Sequence, residues 1–214
     1  MDTLRSEPIY ESADGDADEL ARAIRVCLMG GDVHLPLTCT IGSGGEEQWV
    51  REWDQWRNHL FAEVLAAHLI KVFTAAHRGD VRAIVKLDQA LGDQFSVDVA
   101  GRSAMAGGQF HASMDGARHV KMLEKLRKAV LDQEIAGHHA TFFATEAAIF
   151  HVPMMHVLPA YLYAEWRSGR LPAGIPASRS SVESFYIECQ GALVDAGKIF
   201  AKVIGGEHSF GVCA

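Results

Sequence analysis

Apolar residues recur three and four positions apart over most of the chain, the spacing of one helix face. Leu20, Ile24, Cys27 and Leu28 open this pattern, with Asp16 or Asp18 placed to cap a helix and Gly30-Gly31 to end it. Trp49, Trp53, Trp56 and Leu60 stand at i, i+4, i+7 and i+11. Val64, Leu65, His68, Leu69, Val72 and Phe73 extend that stripe towards Gly79, so one long helix or a kinked pair is predicted over 46–77. Asp80 is placed to cap a helix bearing Val81, Ile84, Val85 and Leu91, and Asp93 to cap another that contains Gly101, Gly107 and Gly108. Met122, Leu123, Leu126, Val130 and Leu131 share one face of a helix over 113–133. Further helices are predicted over 138–152, 154–167 and 180–203, the last with Val182, Phe185, Cys189 and Leu193 in register. No run shows strand alternation bounded by turn chemistry. Residues 30–45, rich in Gly, Thr and Ser, and 168–179, with two prolines and two glycines, read as loops. The expectation is a flexible acidic arm, 1–17, followed by a single-domain all-α helical bundle, 18–214.

Composition narrows the class. The chain has 214 residues, 49% of them apolar, enough for a real core. A charged fraction of 22% and mean hydropathy of +0.03 exclude a disordered chain. A net charge of −7 argues against nucleic acid or an anionic membrane surface as partner, since both need a basic face. The longest run without Asp, Glu, Lys or Arg, Ala147–Ala164, contains His151, Pro153, His156 and Pro159. It is short and broken beside the about 20 apolar residues of a membrane span. Residues 1–20 carry seven acidic residues and one Arg, unlike a signal peptide. Cys27, Cys39, Cys189 and Cys213 form no C-x-x-C pair, so neither a zinc ribbon nor a disulfide framework is expected. A cytoplasmic location follows as the expectation.

The chain carries no phosphate-loop, dinucleotide, zincin or nucleophile-elbow motif. Ser43, in Gly42-Ser43-Gly44-Gly45, lacks the preceding strand and the Lys of a phosphate loop and reads as a turn. Eleven histidines are many. His139 and Glu146 stand at i, i+7 on one predicted helix face, with His138 before them and His151 and His156 after. A helical metal- or haem-dependent enzyme would draw on His139, Glu146, His151 and His156. The usual di-iron signature, Glu-x-x-His on two helices, is missing, so no bound metal or other cofactor is expected, and His139 is assigned to packing or a helix cap. The tryptophan stripe is assigned to the core, and Arg102, Lys121, Lys125, Arg127 and Lys128 to a solvated face.

Residues 35–47 read Leu-Pro-Leu-Thr-Cys-Thr-Ile-Gly-Ser-Gly-Gly-Glu-Glu. Leu35, Pro36, Ser43, Gly45 and Glu47 match, without a gap, the L-P-x-G-x-F-x-x-S-x-G-L-E signature of UreF-type urease accessory proteins. His139, Phe143, Pro153, Ala160, Tyr161, Leu162 and Tyr163 stand at the spacings of that family's H-P-x-x-F-G, Pro and A-Y-L-Y segments. Thr74–Asp80 is similar to its Gly-Asp turn, and Ser103 and Gly107 to its S-x-x-x-G. The resemblance covers about residues 20–166. Thr38, Thr40, Glu46, Ala100 and Pro159 depart from the pattern, and the family's R-L-x-P-L-G-Q is not recognisable after 166. The resemblance implies an all-α, non-enzymatic accessory protein that forms a homodimer. It implies binding to a scaffold protein and a GTPase for nickel delivery to urease, with the matched residues at the family's signature and partner-facing positions. A subunit of another assembly that reuses this fold is the alternative.

Overall fold

The computed structural model describes residues 46–113, 120–170 and 179–208, together with the helical positions Leu20 and Ala23. The expected arm at 1–17, the loop at 30–45 and the cysteines at 27, 39 and 213 lie outside the described residues. The described part is all-α, with seven helices and, among the described residues, no strand. Helix α1 runs as α-helix over Glu46–Trp56, as π-helix over Arg57–Leu65 and as α-helix again over Ala66–His77. It is followed by α2 (Val81–Gly92), α3 (Val97–Ser113), α4 (Lys121–Leu131), α5 (His139–Ile149), α6 (Met154–Arg170) and α7 (Arg179–His208).

Local chemistry sets several of these ends. Gly79 takes φ +73°, a conformation that suits glycine, and α1 stops just before it. The Asp80 carboxylate then accepts from the Ala83 N–H at 3.0 Å and caps α2, as the sequence predicts. The next helix does not begin at Asp93, which instead closes α2. Ser96 Oγ accepts from the Val99 N–H at 3.5 Å, and α3 starts at Val97. Helix α4 is shorter than the predicted 113–133, and 114–119 lie outside the described residues. Pro159 sits inside α6, where it removes the amide that would bond the Met155 carbonyl.

The tryptophan stripe is core, as predicted. Trp49, Trp53 and Trp56 are buried and stacked, with ring centroids 5.6 and 5.0 Å apart. Beyond Trp56 the π geometry changes the register. A regular α-helix would turn Leu60 and Val64 inward, but here Phe61 and Leu65 are buried and Leu60 and Val64 only half-buried. One extra residue in the turn moves the buried stripe on by one position.

Helix α5 is the centre of the bundle. Every residue from His139 to Ala148 is buried, so the helix has no solvent face. Helices α1 and α3 pack along it, α6 covers a further side, and α2 meets its beginning. Helix α7 lies outside, against α6 and α1. Two tyrosines of α6 bridge these layers. Tyr161 meets Phe143 of α5 at 5.2 Å between centroids, and Tyr163 meets Phe185 of α7 at 5.4 Å. Standing two residues apart on a helix, they point roughly 200° apart and so reach opposite neighbours.

Candidate functional site

Four buried polar side chains, His68, Asp88, His138 and Thr141, gather around the beginning of α5. The first amides of any helix lack intrahelical partners, and here they lie in the interior. Asp88 of α2, fully buried, meets the two amides that lead into the helix. Its Oδ2 accepts from the Gly137 N–H at 3.0 Å and its Oδ1 from the His138 N–H at 2.9 Å. Oδ1 also accepts from the Thr141 hydroxyl at 2.6 Å. Thr141 has one hydroxyl proton and gives it to Asp88. His68 Nε2, 3.0 Å from Thr141 Oγ1, is therefore the donor of that contact, which assigns the Nε2–H tautomer. Burial pushes the His68 imidazole down to about 4. The Asp88 charge opposes this shift, and His138 and Lys71 add to it. His68 is neutral at pH 7.

The strap entering α5 is held by close backbone approach. A Cβ on Gly107 of α3 would lie 2.0 Å from the Gly137 carbonyl oxygen, so only glycine fits there. Gly137 has φ +73°, and a Cβ on it would press on Val130 and Phe142. His138 stands at the N-cap position with its ring edge-on to Phe95, centroids 5.2 Å apart. Burial lowers its pKa, against the pull of Asp88.

His139 does not cap the helix. Asp88 meets the amides of residues 137 and 138 just ahead of it, while the His139 ring stands among Phe110, Phe143 and Tyr161, centroids 5.1–5.7 Å away. Burial pushes its imidazole down to about 3, and neither ring nitrogen has a hydrogen-bond partner among the described residues. Of the two expected roles, packing is the one the structure assigns. Glu146 is also interior. Burial pushes its carboxyl up to about 8, so it is a neutral acid at pH 7, and its Oε2 has no partner among the described residues.

The other candidates are scattered. His151 is exposed in the α5–α6 turn with φ 55°, its ring edge-on to His77. His156 is buried on α6. Among the described residues, no three His, Cys, Asp or Glu side chains gather so as to hold a metal ion. Of the signature residues, Glu47 is exposed at the start of α1 and Pro153 is exposed just before α6. Tyr161 and Tyr163 are core. Leu35, Pro36, Ser43 and Gly45 lie outside the described residues. In the basic cluster, Lys121, Lys125, Arg127 and Lys128 are exposed and Arg102 is half-buried.

Sequence reasoning missed Asp88 and Thr141. The available signal was a carboxylate within the apolar stripe Val81, Ile84, Asp88, Leu91. Chemically, Thr141 Oγ1 is buried and engaged on two sides, by Asp88 and His68. The trio therefore holds the head of α5 in place and offers solvent no nucleophile. No protein-family model matches this chain, and no curated protein matches it in sequence.

Proposed function

We propose that the chain is a non-enzymatic accessory protein of the UreF type. On this reading it acts in the cytoplasm as a homodimer, engaging a scaffold protein and a GTPase in nickel delivery to urease. One observation carries the reading. His139 and Phe143 from one matched segment and Tyr161 from the other, 18 positions further on, meet in a single aromatic unit. Motif residues that pack together act as a structural signature, which suits a family defined by its fold and partners. Two further features support an interaction module. The interior trio Asp88, Thr141 and His68 is used to hold α5, and α7 exposes Ile187 and Val194, one heptad apart on one face. The test is co-expression with a urease operon lacking its UreF-type gene. The expected result is co-purification with the scaffold and GTPase and restored urease activity. Failure of both would overturn the reading.

A further inference from the structure

A cleft of about 330 Å³ lies between α3, α4 and the strap leading into α5. That places it at the small end of ligand sites, which span about 300–1,000 Å³. Its α3 wall is flat because Ala104, Gly108 and Ala112 recur every fourth residue. Gly108 is the informative one. Its neighbour Gly107 is glycine by necessity, but a Cβ on Gly108 would meet nothing within 4 Å. Glycine is a poor mid-helix residue, and packing does not demand it at 108. Its effect there is to leave the cleft open. Leu123 and Val130 of α4 and Phe142 of α5 supply the apolar lining.

Three polar side chains share this space. His111 stacks on Phe142, centroids 4.9 Å apart and planes 16° apart, and its buried Nδ1 has no hydrogen-bond partner among the described residues. Burial, and then the Arg127 charge, lower its pKa, which leaves a neutral ring able to donate one N–H. Arg127 carries its guanidinium on the α4 side and forms no ion pair among the described residues. Glu124, one turn earlier on α4, is the single acidic group lining the cleft among the described residues. The nearby Asp132 is occupied by Lys128 at 2.6 Å.

We infer that this cleft binds a small monocarboxylic acid with a flat apolar body, an aryl or arylalkyl carboxylate. The body lies along the Ala104–Gly108 wall beside Phe142 and Val130, and the carboxylate accepts hydrogen bonds from Arg127 and from His111 Nδ1–H. Arg127 selects for one negative charge, and Glu124 selects against a second.

Phenylacetate titrated into the full chain, followed by calorimetry or NMR, tests this. Phenylacetamide, with the same ring and no charge, and phenylmalonate, with two carboxylates, are the comparators. Phenylacetate should saturate, with each comparator about tenfold weaker. Arg127→Leu should weaken phenylacetate about tenfold and leave phenylacetamide unchanged. Gly108→Leu should fill the cleft and abolish binding without lowering the melting temperature. The inference is overturned if phenylacetate fails to saturate by about 10 mM. Equal binding of acid and amide, or undiminished binding to Gly108→Leu, would also overturn it. Arg127 is on the surface, so its variant decides the matter even if Gly108→Leu folds poorly.

Discussion

Asp88 joins two helices through one carboxylate. It accepts from two backbone amides 49 and 50 residues away and from one hydroxyl. Asp88→Ala would leave two buried amides without a partner and Thr141 with His68 alone, and should cost about 3 kcal/mol or more in chemical denaturation. Thr141→Val, which removes only the hydroxyl, should cost about 1–2 kcal/mol. Asp88 could be suspected from its place in an apolar stripe, but its partners could not. Backbone amides have no sequence signature, and the contact joins distant segments. The titrating residues make a second prediction. Glu146 has a folded-state pKa of about 8 against an ordinary 4.5, so the folded chain keeps a proton the unfolded chain releases. Its contribution to stability therefore declines as pH rises through that interval. His68 and His139, at about 4 and about 3 against 6.5, act oppositely, because the unfolded chain takes up their protons first as pH falls. Stability should peak near pH 6.5. Between there and pH 8 the Glu146 contribution should fall by on the order of 2 kcal/mol. Glu146→Gln should remove that alkaline decline in thermal melts at pH 6.5 and 8.

At the scale of the elements, helix identity was legible and register was not. Each described helix has a counterpart in the sequence, α3 through an expected Asp93 cap rather than apolar spacing, with ends misplaced, as at Asp93 for Ser96 and at 113–133 for α4. The π segment of α1 lay beyond reach because Leu60 and Phe61 are both apolar. Either could take the inward position, and only packing against the rest of the bundle chooses Phe61. The segment behaves as an α-helix with one residue too many. Deleting the exposed Asn58 would bring Trp49, Trp53, Trp56, Phe61 and Leu65 onto regular spacing. That variant should keep native tryptophan fluorescence and melt within a few degrees of the parent. Inserting Ala after Asn58 should instead rotate the tryptophans by about 100° relative to the bundle and abolish cooperative melting.

For the whole molecule, α7 carries the clearest expectation about assembly. Ile187 is 80% exposed and Val194 48% exposed, a cost in water unless a partner covers them. On the homodimer reading, Ile187→Lys with Val194→Lys should convert a dimer to a monomer in sedimentation velocity while leaving the melting temperature unchanged. An unaltered sedimentation coefficient would remove α7 from that interface. The enclosure of α5 has a different consequence, one of time rather than energy. A helix touched on all sides cannot detach alone, because each neighbour must leave first. Its amide deuterons should therefore exchange only when the entire bundle opens, at one common rate under conditions where refolding is slow. The amides of the outer helix α7 should exchange sooner, through local fraying. Mass spectrometry of peptides spanning residues 139–148 would then serve as a clock for complete unfolding.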